Sequence, residues 1–203
     1  ARRKSGELGL KNITFMQGDL LDLKRLDREF DLVFASGVLH HMEDSVLGLQ
    51  ALVESLRPRG LIKLGLYSEL GREGITKVRE EVRLRDIDFN IASMRKFRRE
   101  LVERVRSGSL QLPYTDFYSA SECRDLIFHV QEVRFHLPLI KDMLEKTGLR
   151  FSGFVLDSNT QSLFMRDYPA SEDLLDLNKW DLFERAHPET FRSMYSFFCQ
   201  KKN

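Results

Sequence analysis

The sequence predicts an α/β fold in which helices cover both faces of a parallel sheet, and two stretches carry this prediction. Leu32–Ala35 is a short, continuous apolar run, the pattern of a strand that is buried on both faces. The run ends at Ser36 and Gly37, an amphipathic helix follows, and a second apolar strand is predicted at Leu61–Leu66. Because ligands of such sheets bind outside the carboxyl ends of the strands, a site is expected between Ser36 and Met42.

The composition is typical of a globular domain. The 203 residues are 42% hydrophobic and 31% charged, which allows one sizeable core with a helical insertion. The 32 basic and 31 acidic residues give a formal charge of +1, so no overall field attracts nucleic acid or an anionic membrane. No apolar run approaches the roughly 18 residues of a membrane-spanning helix. We therefore expect a cytoplasmic protein, and we expect neither a membrane nor a nucleic-acid partner.

The cysteines and histidines do not indicate a metal centre. Cys123 and Cys199 are the only two cysteines, and they are far apart, so neither a disulfide framework nor a zinc site is expected. Cys123 is interpreted as a small core residue. His40 and His41 are adjacent, and neighbouring side chains on a helix diverge, so a metal pair is not expected either.

The first residues resemble the last turn of a helix that Gly6 and Gly9 close. Asn12–Met16 is rich in β-forming residues and is predicted to be a parallel strand. Asp19 follows that strand, and one interpretation is that it only caps a short helix from Leu20 onward. Because the sequence opens within a helical pattern and not on Met, we expect it to be part of a longer chain.

The helix after the central strand has clear end signals. Asp44 is a plausible N-cap, and the proline and glycine of Arg57–Gly60 are predicted to end the helix before the strand Leu61–Leu66. Tyr67 then follows that strand at the expected ligand crevice. The apolar face predicted for the helix is formed by Val46, Leu49, Leu52, Val53 and Leu56.

Residues 71–108 are predicted to form a helical insertion or lid, because apolar side chains recur at helical spacing among many basic ones. The basic side chains are interpreted as a solvated face, and an anion-binding patch of Arg95, Lys96, Arg98 and Arg99 is the alternative. The apolar positions are Ile75, Val78, Val82, Ile91, Met94, Phe97, Leu101 and Val105.

The remaining elements complete the predicted sheet. A capping box at Ser119–Glu122 opens a helix that carries Cys123, Leu126 and Ile127. Further along, a helix is predicted at 137–146, a strand at 150–156, short surface helices within 158–190, and a last strand at 194–199.

The order of three motifs resembles the class I S-adenosylmethionine-dependent methyltransferases. The motifs are GDLL at 18–21, FDLVFASGVLHHMED at 30–44 and LRPRGLIKL at 56–64, and the similarity extends over residues 1–67. The segment from Asp116 to Phe151 is similar to bacterial methyltransferases that are often linked to helical repeats. The resemblance implies a Rossmann-like sheet, in which 12–16 is the third strand and the late strands form an antiparallel hairpin.

The resemblance also implies a binding site for S-adenosylmethionine. Asp19 would accept a hydrogen bond from the adenine amino group, and the backbone amide of Leu20 would meet a ring nitrogen. The backbone of Ser36, Gly37 and Val38 would lie near the methionyl part of the donor.

Methyl transfer from a sulfonium is an in-line displacement, so the enzyme chiefly positions donor and acceptor and excludes water. A hydroxyl or amine acceptor needs a base, for which histidine is the natural candidate. His41 follows the strand end directly, and His129 is flanked by acidic residues at helical spacing; both are candidate catalytic residues. Tyr67 and Tyr118 are the candidates for lining the acceptor pocket. The acceptor itself, a small molecule or a protein, is not identified.

The family's glycine-rich turn after the first strand and the acidic end of its second strand are not in this sequence. They would need two βα units of roughly 30 residues each upstream. We therefore expect a missing amino-terminal segment, without which donor binding is weak and the edges of the sheet are exposed. The expected units are a partial donor-binding core at 1–70, a helical insertion and acceptor-side helices at 71–147, and completing strands at 148–203.

Three functions remain open from the sequence. The first is a catalytic methyltransferase, and the second is an inactive domain of the same fold that serves as a binding module or scaffold. The third is another Rossmann-like nucleotide binder, such as a nicotinamide oxidoreductase, although Asp19 and the motif at 30–44 match methyltransferases better. Fold alone does not decide between them.

Overall fold

The structure is a computed structural model that describes residues 2–110, 112, 119–128, 132–192 and 194–203. Its four strands form one sheet of order β1-β2-β4-β3, in which β1 and β2 are parallel and β4 is antiparallel to both neighbours. This confirms the α/β fold and the antiparallel pair that was predicted to complete the sheet. The strands are β1 (Phe30–Ser36), β2 (Leu56–Leu66), β3 (Leu149–Phe154) and β4 (Tyr195–Lys201).

Helices surround this sheet, and most were predicted. The α-helices are α1 (Arg2–Glu7), α2 (Ser45–Glu54), α3 (Glu73–Leu84), α4 (Ile91–Arg106), α5 (Ala120–Ile127), α6 (Leu137–Lys146), α7 (Ser158–Asp167) and α8 (Leu177–Ala186). Short 3-10 helices cover Leu20–Leu26, Leu39–His41 and Ser171–Leu175. In the part of the chain that the structure describes, no helix has the length and apolar character needed to cross a membrane.

The connection from β1 to α2 forms as the sequence predicts. The Asp44 carboxylate accepts hydrogen bonds from the amides of Val46 and Leu47, at 2.9 and 3.0 Å, which satisfies two donors at the helix start. Gly48 lets the helix approach the turn closely, since a Cβ there would lie 2.3 Å from the sulfur of Met42. The inner face of α2 buries Leu49, Leu52 and Val53 against the sheet.

Two predictions about the strands are wrong. Asn12–Met16 is not a strand: it forms no ladder with the described sheet, and Ile13 and Met16 are exposed. β-forming residues define a strand only when a neighbouring strand accepts their hydrogen bonds. The second error is at 57–60, which belongs to β2 because α2 already ends at Glu54.

Helices α3, α4 and α5, which lie in the predicted helical unit at 71–147, share an apolar core. Ile75, Val78 and Val82 of α3 pack with Phe97 of α4, and the predicted α5 residue Cys123 joins the same cluster. Ile91 was predicted for this face but is exposed, because it begins α4 beyond the reach of α3.

The helices of 158–190 are more than surface elements, which corrects the prediction. Phe164 of α7 stacks on Trp180 of α8 with ring centroids 3.6 Å apart, and both rings are buried. Phe154 and Phe191 also pack against Trp180, so this aromatic group covers one face of the sheet next to β3 and β4.

The outer edge of β1 is open among the described residues. Leu32 and Phe34 are 44% and 64% exposed, although the apolar run had predicted a strand buried on both faces. An exposed edge of apolar residues with unpaired backbone groups is a surface on which another strand can pair.

Close packing at the start of the insertion gives a stability prediction. A Cβ at Gly71 would lie 2.2 Å from the carbonyl oxygen of Phe191, and a backbone atom cannot move aside cheaply. We expect Gly71→Ala to lower the free energy of unfolding by about 1–3 kcal/mol in chemical denaturation. The control is Gly6→Ala, where a Cβ meets nothing within 4 Å and no loss is expected. Equal stability of the two variants would contradict the packing described.

Candidate functional site

The carboxyl ends of β1 and β2 meet at one edge of the sheet, where the ligand site is predicted. Ser36 is paired with Gly65, and a Cβ at Gly65 would lie only 2.3 Å from the Ser36 hydroxyl oxygen. Gly37 then turns the chain with φ of 76°, a conformation that favours glycine, and its amide donates to the Gly65 carbonyl at 3.2 Å. Ser36 and Val38 are exposed on this turn, so their backbone is accessible to a ligand.

Three aromatic side chains come together beside that turn. The rings of His40 and Tyr67 are stacked, with centroids 3.6 Å apart and planes inclined by 19°. His41 meets the His40 ring edge-on at 4.4 Å and the Tyr67 ring at 6.1 Å. His40 is buried, whereas His41 and Tyr67 are half-buried. Two of the candidate site residues, His41 and Tyr67, are therefore neighbours next to the carboxyl ends of β1 and β2.

A buried ion pair lies against the same ring stack. The Arg72 guanidinium carbon lies over the Tyr67 ring, 3.7 Å from its centroid. Two Arg72 nitrogens donate to the two carboxylate oxygens of Glu132 at 3.2 and 2.6 Å, and both side chains are 2% exposed. Arg79 also pairs with Glu132, at 2.9 Å. Arg72 was not predicted, since nothing in its sequence neighbourhood distinguishes it from the other arginines of the insertion.

Asp19 caps a short helix, which is one of the two roles predicted for it. Its carboxylate accepts from the amide of Leu21 at 2.9 Å and so caps the 3-10 helix Leu20–Leu26. Asp19 and Leu20 also line a cavity of about 580 Å³ between this helix and the open edge of β1. The cavity extends along β1 as far as Phe34, two residues before Ser36.

The other candidates are placed as follows. Tyr118 and His129 lie outside the described residues. Arg95 and Arg98 of the possible anion patch line, with Arg124 of α5, a cleft of about 230 Å³. Cys123 is buried as predicted for a core residue, and burial raises the pKa of its thiol to about 11. In the described ranges, no three side chains of histidine, cysteine, aspartate or glutamate are grouped so that they could hold a metal ion.

Comparison with known proteins decides the family. Residues 1–106, just over half of the chain, match the profile of the family described as methyltransferase domain. The chain belongs to this methyltransferase family. The resemblance predicted from the three sequence motifs is thereby confirmed.

Relatives of this methyltransferase domain are longer proteins. The uncharacterized protein syc1184_c of Synechococcus sp. is 30% identical over 201 residues, covering 87% of this chain and 46% of that protein. PKMT2 from Rickettsia typhi, solved in complex with AdoHcy, superposes with a TM-score of 0.71 at 16% identity, covering 100% of this chain and 42% of that one. A second structure of the same Rickettsia protein superposes with a TM-score of 0.69 at 13% identity. The chain thus spans less than half the length of these proteins, and the structural similarity confirms the Rossmann-like fold.

Behind the crevice, the methyltransferase domain contains a buried carboxylate that the sequence analysis missed. The Glu184 carboxylate accepts hydrogen bonds from the hydroxyls of Ser68 and Tyr195, both at 2.6 Å, and is 1% exposed. It joins α8 to the ends of β2 and β4. Glu184 lies four residues after Trp180, on the apolar face of α8, and this spacing was the signal available in the sequence.

Burial raises the pKa of Glu184 above its ordinary value of 4.5, and the charge of Asp181 adds to this, while the two hydroxyl donors partly oppose it. The folded state therefore binds the proton more tightly than the unfolded state. The resulting stabilisation is complete below the unfolded-state pKa and is lost as pH rises through the folded-state pKa.

This gives a prediction for stability against pH. Glu184→Gln replaces the carboxylate with a neutral side chain of the same shape, so the loss of stability above about pH 4.5 should disappear. We expect the wild-type free energy of unfolding to fall relative to the variant by at most about 1.4 kcal/mol per pH unit in that window. Urea denaturation between pH 4 and 8 measures the difference. Parallel curves for the two proteins would show that Glu184 does not titrate differently on folding.

Proposed function

We propose that this domain transfers a methyl group from S-adenosylmethionine to an acceptor. The observation that carries the proposal is the turn after β1, where Gly37 leaves an accessible backbone beside His41 and Tyr67 at the carboxyl ends of two parallel strands. Family membership and the AdoHcy complex of the Rickettsia structure support the choice of donor. Bound S-adenosylmethionine would supply an activated methyl group on a sulfonium.

The residues present fit such a donor. The carboxylate of Asp19 is exposed and uses one oxygen for its helix cap, so its remaining acceptor capacity is open to an adenine amino group. Leu20 lines the same cavity, and apolar side chains of β1 form its wall, as a flat aromatic ring system requires. Ser36, Gly37 and Val38 offer backbone groups at the strand end for the methionyl part.

On the acceptor side, His41 and Tyr67 would position the nucleophile. A half-buried imidazole beside an aromatic ring can remove a proton from a hydroxyl or amine as the methyl group is transferred. Methyl transfer would also require water to be kept from this position, because hydrolysis competes with it. The acceptor can be a small molecule or a protein.

The open edge of β1 indicates that the donor site needs more strands. Leu32 and Phe34 are exposed there, and the related proteins are more than twice as long as this chain. We infer that an amino-terminal segment of the same protein pairs with β1 and completes the wall of the cavity next to Asp19.

Calorimetric titration of S-adenosylhomocysteine tests this function. We expect micromolar binding by a chain extended upstream by roughly 60 residues, enough for two βα units, and weak or no binding by the 203 residues alone. Comparing the two chains distinguishes a domain that lacks upstream strands from a domain that does not bind the donor at all. Absence of binding by both chains would contradict the proposal and favour an inactive binding or scaffold domain.

A substitution at Asp19 tests the donor contact separately from the helix cap. Asp19→Ser retains a good capping side chain but cannot reach a ligand, so stability should change by less than about 0.5 kcal/mol. Loss of a hydrogen bond to a charged group should weaken S-adenosylhomocysteine binding by the extended chain about tenfold or more. The control is Asp22→Ser, since Asp22 lines the same cavity but pairs with exposed Arg25. Equal affinities of the two variants would exclude the Asp19 contact.

His41→Ala tests the base. In the chain extended upstream, we expect the substitution to slow the transfer of labelled methyl groups to acceptors in a cell extract by about 10² or more, because general-base catalysis contributes about 10²–10⁴. The affinity for S-adenosylhomocysteine serves as the internal control and should stay within twofold. Unchanged transfer would exclude His41 as the base.

A further inference from the structure

The Tyr67 ring is enclosed on both faces by side chains from different parts of the chain. The His40 ring is 3.6 Å from its centroid and the Arg72 guanidinium carbon is 3.7 Å from it. Two groups at these distances cannot share one face without overlapping, so the ring lies between them. His40 comes from the turn after β1, Tyr67 from the end of β2, and Arg72 from the residue before α3.

Arg72 is itself fixed in one orientation. The planar guanidinium forms two hydrogen bonds with Glu132, and this forked geometry determines its plane as well as its position. Its backbone amide donates to the carbonyl of Ser68 at 3.1 Å, and its carbonyl accepts from the amide of Thr76 at 2.9 Å. The side chain that lies over Tyr67 is therefore held by the strand end, by the first turn of α3 and by Glu132.

The segment that carries Glu132 contacts the same two residues through the backbone. The amide of Val133 donates to the carbonyl of His40 at 2.8 Å, and the amide of Phe135 donates to the carbonyl of Tyr67 at 2.9 Å. In addition to the strand pairing, the turn after β1 and the end of β2 are thus joined by the ring stack and by this segment. The ion pair between Glu132 and Arg72 links this segment to the ring stack.

We propose that Arg72, oriented by Glu132, is a positioning residue for the methyl-transfer site. It holds the Tyr67 and His40 rings in place and, through them, the turn that carries residues 36–41. This rests on the proposed function, since that turn is the expected donor and acceptor contact. Arg72 thereby couples the insertion that begins at α3 to the site. It acts through the Tyr67 and His40 rings and does not itself contact the substrates.

A matched pair of variants separates positioning from charge balance. Arg72→Met removes the group that lies over the ring, and Arg79→Met removes the second ion-pair partner of Glu132. Both variants remove one positive charge next to the same carboxylate. If Arg72→Met does not fold, as judged by circular dichroism, Arg72→Lys replaces it, because lysine retains the charge but not the planar fork.

The first measurement is the proton NMR spectrum of the histidine rings. The Tyr67 ring current displaces the His40 ring signals upfield, and His40 is assigned by its loss in His40→Gln. We expect Arg72→Met to reduce this displacement by at least half and Arg79→Met to leave it within a tenth. An unchanged displacement in Arg72→Met, or an equal reduction in Arg79→Met, would overturn the proposal.

The second measurement is S-adenosylhomocysteine affinity in the chain extended upstream. We expect Arg72→Met to weaken binding at least fivefold and Arg79→Met to change it less than twofold. Equal weakening by both variants would overturn the positioning role. If the wild-type extended chain does not bind the ligand, the proposed function fails, whereas the NMR measurement still decides whether Arg72 positions the rings.

Discussion

The parallel pairing of β1 with β2 is the constraint on which the site depends. Parallel strands end at the same edge of a sheet, so the turn at Ser36 and the residue Tyr67 become neighbours although they are 31 positions apart in the sequence. Gly65 has no side chain to separate the strands at that level. A larger residue there would crowd Ser36, whose hydroxyl oxygen and Cα would lie 2.3 and 3.0 Å from the added Cβ.

Around this pairing, buried polar groups fix the surrounding elements. Glu132 holds Arg72 against the ring stack on the side of the insertion, and Glu184 joins Ser68 to Tyr195 on the side of α8. Each buried carboxylate accepts several hydrogen bonds, which offsets the cost of removing it from water. The end of β2 is therefore attached to both neighbouring helical layers, and the insertion can influence the crevice through this attachment.

The sequence predicted the elements whose signals are local. Asp44 at the start of α2, the apolar face of α3 and the helix at 137–146 all follow from capping and periodicity, and the structure confirms them. Composition alone does not show whether a segment finds a partner strand: Asn12–Met16 has the composition of a strand but no partner in the described sheet.

The candidate site, like the fold, was predictable only where its residues carry a local sequence signal. The motif at 30–44 predicted the turn after β1 and the position of His41. It could do so because the strand end and the candidate ligand contacts are adjacent in the sequence. Arg72 and Glu184 were not predicted, since their partners lie 60 and 116 residues away in the sequence. The spacing of Glu184 from Trp180 marks it as a residue of the buried helix face, but it does not identify the hydroxyls that Glu184 binds.

We propose that the turn after β1 and the cavity at Asp19 together form the donor site. A crystal structure of the chain extended upstream with S-adenosylhomocysteine bound tests it most directly. We expect the adenine within hydrogen-bond distance of Asp19 and the homocysteine part against the backbone of residues 36–38. Ligand bound elsewhere, or an upstream segment that does not pair with β1, would contradict it.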